Sequence, residues 1–319
     1  MKIVKALVTA ILLIVVGSLL CGLSFTAMGF DISKMNLVHY EKKNYAVEED
    51  FDSIRIRVSG ENVEILPSED GTCGVYCFEG GDYSHRVSVE DGTLVVDCDD
   101  DREWYEYISF NDDDRLLSVR LPKTEYERLG IDSDTRTVRI PAGFTFDDIR
   151  IETKAGAVYC NASEADTVSI RNYFGEIVVS GLTAEKLSLE SEGGRILLED
   201  ASCSEGAEIA ITDGEVKAEN VKCGTFSCSG DDVDMDLNRV LVSGEMRLSA
   251  EDGSIRFRSC DAGEAYLELE AGVINGSFLT EKVFETEKVF GKISVPDSDK
   301  GGKCHIVTTG ADVNITIEK

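Results

Sequence analysis

The sequence has few of the residues on which histidine-based catalysis and nucleic-acid binding depend. Its 319 residues include three histidines, one tryptophan and four prolines. None of the histidines, His39, His85 and His305, lies near a serine or cysteine in a recognisable catalytic motif. Lys and Arg number 32 against 61 Asp and Glu, which leaves a formal net charge of −29. Because nucleic-acid-binding proteins present a basic stripe and none is visible, no nucleic-acid partner is expected.

Known metal-binding patterns are missing as well. The ten cysteines include no Cys-x-x-Cys pair, and Cys73 and Cys77 have no second pair to complete a zinc site. Acidic runs at Asp97–Asp101, Asp112–Asp114 and Asp231–Asp236 match neither the EF-hand nor the nonapeptide calcium repeat. We therefore predict no catalytic residue, no cofactor and no metal site. The cysteines are expected to be mainly buried thiols, and one or two disulfides are compatible with their number.

What the sequence does contain is a repeat of about nineteen residues, with ten copies over 129–313. The unit reads apolar, any, apolar, four of any kind, glycine, any, apolar, as in Ile149-Ile151-Gly156-Val158. The spacing of two is that of a half-buried strand, and a fixed glycine indicates a tight turn with positive φ. Each copy is therefore predicted to form a strand, a glycine turn, a second strand and a return loop.

Stacked copies of such a unit form a solenoid that is stable only as an array. The fold class is predicted to be all-β, a parallel β-helix or β-solenoid of about ten coils. Aliphatic rows such as Val158, Ile177 and Ile196 should line a shared interior. Glycine fills its place in seven copies, the exceptions being Arg136, Asp231 and Ala311.

One copy departs from the regular period. It is interpreted as Gly224-Phe226-Val233, which places its last apolar residue 17 residues after Val216 and 22 before Ile255. Since 17 and 22 together equal two ordinary periods, we expect one loop to have given residues to the next while the stack stays in phase.

The chain is divided into four segments. Residues 1–30 are predicted to be a transmembrane anchor, because Ala6–Phe30 contains no charge and is long enough to cross a bilayer. Residues 31–48 are a tether, 49–128 an N-terminal antiparallel β lead-in that covers the first coil, and 129–319 the solenoid. The expected location is a bacterial cell membrane, crossed once, with most of the chain outside the cytoplasm. The last coil is expected to be open to a partner or to self-association, since only Glu318 and Lys319 blunt it.

The densest aromatic segment offers a candidate recognition patch. Trp104, Tyr105 and Tyr107 lie between acidic runs, where exposed aromatic rings can bind sugars or proteins. The alternative interpretation is a strand that packs its aromatic side chains over the first coil.

A family resemblance rests on three motifs, Val119-Arg120-Leu121-Pro122, Leu129-Gly130-Ile131 and Val138-Arg139-Ile140-Pro141, with the glycine ladder that follows and the apolar N-terminal segment. Together they resemble a bacterial family of unknown function labelled "putative adhesin", the head domain of membrane-anchored β-solenoid proteins. The resemblance covers about residues 50–319. It implies the solenoid fold, and it supplies no catalytic residues to carry over.

Three functions are considered. The leading one is a non-enzymatic, membrane-anchored scaffold for adhesion, binding or envelope sensing, with an envelope protein or a glycan as partner. The second is a carbohydrate-active β-helix enzyme, whose groove would use Arg195, Arg247, Arg256 and Arg258 with Asp213 and Asp252. The third is a module that assembles end to end through its open last coil.

Overall fold

The computed structural model describes residues 2–27, 29–30, 38–104, 115–134 and 136–318. The single helix described, α1, spans Lys2–Ala27. Within it, Lys5–Ala27 is long and apolar enough to cross a membrane, and its most apolar stretch is not buried by the rest of the described chain. A signal sequence passes the same test of length and composition.

The remaining elements are strands, which join in one sheet of nineteen. In chain order they are β1 Glu41–Val47, β2 Ser53–Val58, β3 Asn62–Pro67, β4 Cys73–Glu79, β5 Tyr83–Glu90, β6 Thr93–Asp100, β7 Leu116–Leu121, β8 Glu125–Ser133, β9 Val138–Ile140, β10 Thr145–Cys160, β11 Glu164–Ser180, β12 Thr183–Glu199, β13 Ser202–Val242, β14 Glu245–Cys260, β15 Glu264–Phe278, β16 Lys282–Lys288, β17 Ile293–Ser294, β18 Gly302–Thr308 and β19 Asp312–Ile317.

The strands stack in parallel as a solenoid of about nine turns, which confirms the predicted fold class. From β10 to β15 each turn pairs with the next, so that Val158 lies opposite Ile177 and Ile177 opposite Ile196. All three side chains are fully buried. The aliphatic rows therefore face a shared interior, as the repeat predicts.

The glycine ladder has two separate physical causes. All seven glycines of the repeat have φ between +88° and +142°, a range of backbone angles that residues with a Cβ atom rarely adopt. They also lie directly against the turn below, and a Cβ on Gly194 would come within 2.0 Å of the Gly175 carbonyl oxygen. In the first copy Arg136 takes the same place with φ of +98°.

The irregular copy was assigned to the wrong register. Val233 pairs with Gly253 and therefore occupies the place of the glycine, while Met235 pairs with Ile255 and belongs to the inner ladder. Measured to Met235, the steps from Val216 and to Ile255 are 19 and 20 residues. The spacing of this copy is therefore regular, and no loop is shortened or lengthened at the expense of the next. The error arose because valine stands where most copies have glycine.

The segment predicted as an antiparallel lead-in contains strands of both kinds. β1, β4 and β5 pair antiparallel, whereas β2 and β3 pair in parallel with β6 and β7 on one side and with β8 and β9 on the other. The parallel stack thus continues beyond residue 129, and its turns do not follow chain order. Antiparallel strands β4 and β5 then cover the outer edges of β7 and β6. We call this end, formed by β1, β4 and β5, the tether end, because the chain enters the fold there after α1.

The opposite end also departs from chain order. β18 and β19 pair with β15 on one side and with β16 and β17 on the other. The expectation that the last coil in the sequence is the open one is therefore wrong. The outermost turn is β16–β17, residues 282–294, which we call the distal end. The final strands of the chain lie one turn inside it.

All ten cysteines are free thiols. Eight are buried, Cys98 is half-buried and Cys21 lies on the exposed apolar helix. Burial raises the pKa of the Cys160 thiol to about 11 and that of Cys228 to about 12. Thiols with so little thiolate at neutral pH are poor nucleophiles. Their role is to fill the interior as small apolar side chains.

Candidate functional sites at the two ends of the solenoid

The distal end exposes two adjacent apolar side chains on its outermost turn. Val289 and Phe290 precede the last glycine turn and are 66% and 72% exposed. Three further exposed apolar residues, Val273, Leu279 and Val307, belong to the same final turns of the stack. Adjacent exposed apolar side chains such as Val289 and Phe290 are the kind of surface that marks interaction sites.

The strand edge at this end is also open. β16 and β17 pair only with β18 and β19, and no other strand among the described residues pairs with them. Unpaired N–H and C=O groups on such an edge can add a strand from another chain. The distal end therefore combines an unpaired backbone edge with an exposed apolar corner.

The tether end contains a buried polar cluster, formed by Glu61, Cys77, Glu79, Tyr83 and His85, which we call the cap cluster. Glu61 is fully buried, and its Oε1 accepts hydrogen bonds from Tyr83 Oη at 2.7 Å and from His85 Nε2 at 2.5 Å. Glu61 lies in the turn between β2 and β3, whereas Tyr83 and His85 are on β5. Two segments far apart in the chain thus meet in this cluster.

A second carboxylate faces the same histidine. Glu79 Oε1 accepts hydrogen bonds from Tyr45 Oη at 2.6 Å and from the His85 backbone N–H at 2.9 Å. It lies 3.5 Å from His85 Nδ1 and 3.8 Å from Cys77 Sγ. Burial, and then the nearby charges of Glu79 and Glu61, raise the pKa of Cys77 to about 12.

A cavity of about 1190 Å³ lies at the tether end, between β1, β4 and the loops that follow β3 and β7. On its wall the Arg120 guanidinium lies 4.6 Å from the centre of the Tyr76 ring, and Phe51 stacks on Tyr126 at 6.1 Å. Glutamate and aspartate residues form much of the rest of its lining. Its acidic rim and stacked rings would suit a cationic or sugar-like ligand.

The predicted recognition patch can be placed only in part. Trp104 follows β6 at the tether end and is 76% exposed. Tyr105 and Tyr107 lie outside the described residues. The patch therefore stays a prediction.

The residues proposed for a carbohydrate-active groove do not pair with one another in the described part of the chain. Arg195 forms ion pairs with Glu176 and Glu215, on the turns below and above it. Arg247 pairs with Glu245 and stacks on the Tyr266 ring at 4.5 Å. These are exposed pairs between or within turns, which stabilise a fold little. Arg195 and Arg247 are thus engaged in ion pairs on the outer faces of the stack.

The fold and its motifs match a known family. The family model described as Toastrack DUF4097 matches residues 51–318. The chain belongs to the Toastrack DUF4097 family. The family assignment agrees with the resemblance seen in the sequence and with the solenoid described above.

The chain also matches solved structures at low sequence identity. A putative adhesin from Bacteroides fragilis is 14% identical, with 88% of this chain and 97% of that chain covered and a TM-score of 0.41. A putative adhesin from Parabacteroides distasonis is 12% identical over 88% and 98% of the two chains, with a TM-score of 0.44. A putative lipid binding protein from the same species is 13% identical over 88% and 97%, with a TM-score of 0.32. No functionally curated protein matches the chain.

Sequence reasoning missed the cap cluster. It treated His85 as having no cysteine partner and Cys77 only in relation to Cys73. Two sequence signals could have found it. Residues two apart in a strand, such as Cys77 and Glu79, point to the same side. Gly80-Gly81 then predicts a turn that brings the strand of His85 back beside β4. A Cβ on Gly80 would lie 2.2 Å from the His39 carbonyl oxygen, so glycine is required at this turn.

Proposed function

We propose that the protein is a non-enzymatic scaffold, anchored by α1 with its solenoid outside the cytoplasm, that binds a surface or envelope partner through the distal end. The observation that carries the proposal is the position of Val289 and Phe290. They are exposed at the end of the stack opposite the point where the chain enters the fold. A partner that approaches the cell would meet this end first.

Several features support a binding role over catalysis. Buried thiols with raised pKa are unsuited to nucleophilic attack, and two of the arginines considered for a sugar-cleaving groove, Arg195 and Arg247, are engaged in exposed ion pairs. The solved neighbours named as adhesins point in the same direction by name alone. The distal end, in contrast, offers both an apolar corner and a strand edge.

The experiment that tests the proposal is site-specific photocrosslinking in cells that produce the full chain. A photoreactive residue at Phe290 should give adducts with an envelope or surface component. The matched control is Phe174, which is 60% exposed in the middle of the stack and should give none. Equal adducts at both positions, or none at Phe290, would contradict binding at the distal end.

Orientation is tested separately. Added protease should degrade the solenoid in intact spheroplasts if it lies outside the cytoplasm. Protection that disappears only after the membrane is permeabilised would contradict the extracytoplasmic location, without bearing on which end of the solenoid binds.

Self-association is a second candidate function, because the distal edge could pair with that of another copy. At the tether end the outermost described strand, β1, pairs with β4 on one side only, so an unpaired edge exists there as well. That strand follows α1 in the chain, and the candidate is that two distal edges pair with each other. A contact between two identical edges closes on itself and gives a dimer, not a fibre. Sedimentation of the full chain in detergent should then show dimers that Phe290→Asp converts to monomers. A monomer at every concentration would remove this candidate.

A further inference from the structure

We propose that Cys77, Glu79 and His85 bind a divalent transition metal ion, for which Zn²⁺ is the best match, and that Glu61 positions the histidine. The candidate ligand atoms are Cys77 Sγ, a Glu79 carboxylate oxygen and a ring nitrogen of His85, all within 4.8 Å of one another. Sulfur, nitrogen and oxygen ligands together are the set that Zn²⁺ prefers.

The distances fit a tetrahedral metal centre. For bond lengths of about 2.0–2.3 Å, two ligand atoms of a tetrahedral zinc site lie roughly 3.3–3.6 Å apart. Glu79 Oε1 lies 3.5 Å from His85 Nδ1 and 3.8 Å from Cys77 Sγ. These two distances are within a few tenths of an ångström of the tetrahedral spacing, and Cys77 Sγ and the His85 ring are within 4.8 Å of each other.

The hydrogen bonding of His85 gives independent support. Its Nε2 is 2.5 Å from Glu61 Oε1, where Nε2–H donates to a fully buried carboxylate. In the neutral ring that bond leaves the lone pair on Nδ1, which is buried and has no hydrogen-bond partner. A lone pair 3.5 Å from a carboxylate oxygen is repelled by it, and a cation between the two atoms would remove the repulsion.

Glu61 then has a defined role as a positioning residue. Histidines that bind metals usually donate their other ring N–H to a carboxylate, which fixes the tautomer and raises the basicity of the ring. Glu61 is held for this purpose by Tyr83, whose Oη donates to the same oxygen at 2.7 Å. A buried carboxylate that merely filled space would be costly, and this one is shared by two donors.

Metal binding would connect strands β4 and β5 at the tether end. Cys77 and Glu79 are on β4, and His85 is on β5, so one ion would connect two strands whose outer neighbours are few. Because the Glu79 side chain is 13% exposed, the ion has a route from solvent. Three protein ligands leave the fourth position to water or to a ligand supplied by a partner.

The test is a titration of the full chain in detergent, under reducing conditions, with Co²⁺ as a spectroscopic probe and Zn²⁺ as competitor. One equivalent of Co²⁺ should produce the visible bands of a four-coordinate ion and a near-ultraviolet thiolate-to-metal charge-transfer band. Zn²⁺ should abolish both. Wild-type protein that shows neither band, and binds no Zn²⁺ at one equivalent, would overturn the proposal.

Substitutions identify the ligands. Cys77→Ser should remove the charge-transfer band, and His85→Gln should remove one-equivalent binding. The matched control is Cys73→Ser, since Cys73 is buried on the same face of β4 and is not among the proposed ligands. If Cys73→Ser loses the charge-transfer band while Cys77→Ser keeps it, the assignment is wrong.

Glu61→Gln separates a positioning role from a merely structural one. The variant keeps all three ligands, so the cobalt spectrum should persist while the affinity falls by about 10- to 100-fold. An unchanged affinity would remove Glu61 from the proposal. Crosslinking at Phe290 is unaffected by any of these changes, so failure of the metal site and failure of the proposed function can be told apart.

Discussion

At each end of the solenoid one turn is inserted between two others out of chain order, but the two ends differ in the strands that lie outermost. At the tether end β2–β3 lies between β6–β7 and β8–β9, and at the distal end β18–β19 lies between β15 and β16–β17. The tether end is then covered by antiparallel strands and filled by the cap cluster. The distal end stops at an unpaired edge. The two ends therefore differ in what lies outermost: antiparallel strands over a buried polar cluster at the tether end, and a parallel turn with exposed Val289 and Phe290 at the distal end, where binding is proposed.

The exchange also explains how each end is held in place. The last strands of the chain, β18 and β19, have neighbours on both sides, and the outermost turn is a segment connected at both of its ends. A terminal turn at a free chain end could unpair one residue at a time. Here β16–β17 must separate as a unit, which reduces fraying at the open edge.

The largest expected effect lies in the middle of the stack, where both ends depend on continuous pairing. Gly194→Val puts a branched side chain where even a single Cβ would lie 2.0 Å from the Gly175 carbonyl oxygen, at φ of +122°. We expect a loss of more than about 4 kcal/mol in the free energy of unfolding, from combined overlap and backbone strain. Chemical denaturation of the full chain in detergent, followed by circular dichroism, measures it.

Two controls separate overlap from strain. Gly181 has φ of +71°, and a Cβ added there would meet no atom within 4 Å, so Gly181→Ala should cost only about 1–2 kcal/mol. Arg136 already occupies the glycine place with φ of +98°, and Arg136→Gly should raise stability. If Gly181→Ala were as costly as Gly194→Val, the close approach of the turns would not be the cause.

The next largest effect tests the attachment of the distal end. Lys282 begins β16, its side chain is 2% exposed, and its Nζ donates to Asp261 Oδ1 at 2.5 Å. Asp261→Ala leaves a buried ammonium group with Thr280 as its remaining hydrogen-bond partner. We expect a loss of about 3 kcal/mol, read from the same denaturation curves.

The double variant sharpens this prediction. Adding Lys282→Met to Asp261→Ala removes the stranded charge, so much of the stability should return. A double variant no more stable than Asp261→Ala alone would show that the carboxylate acts by some means other than pairing with Lys282.

A moderate effect is expected at the tether end. Tyr83 is 1% exposed, and Tyr83→Phe removes one of the two donors to the buried Glu61 carboxylate. The expected loss is about 2 kcal/mol, because the buried carboxyl group loses one of its two hydrogen-bond donors. The control is Tyr159→Phe, whose hydroxyl donates to Glu176 at 3.2 Å on the outer face, and which should cost under about 0.5 kcal/mol. Equal losses would mean that the cap cluster adds no special stability.

The middle of the solenoid was predictable because its signals are local. A period of about nineteen residues, apolar pairs two apart and a recurring glycine determine each turn, and neighbouring copies in the sequence are neighbours in space. One prediction there was wrong. Asp231 was expected in the glycine place of a copy that has no glycine, whereas the structure puts Val233 there. Valine avoids the positive φ by adopting a different backbone at that corner, since Val233 is not among the residues with positive φ.

The ends could not be predicted in the same way. Nothing local to residues 302–317 indicates that they insert beneath 282–294, because the exchanged turns carry the same apolar spacing as any other. The cap cluster has the same origin, since Glu61 meets His85 only after β2–β3 has been placed beside β6–β7. Pairing that depends on the whole array leaves no pattern in a single segment.

The smallest effect on folding belongs to the residue most important for the proposed function. Phe290 is 72% exposed at the open corner, so Phe290→Ser removes little buried area and should change stability by less than about 0.5 kcal/mol. Phe174→Ser, at 60% exposure in mid-stack, should be equally neutral. The two variants should differ only in binding, with partner capture at the distal end reduced by Phe290→Ser and unchanged by Phe174→Ser. A large loss of stability with Phe290→Ser would mean that the ring is needed for packing, and that the distal end is closed in solution like the tether end.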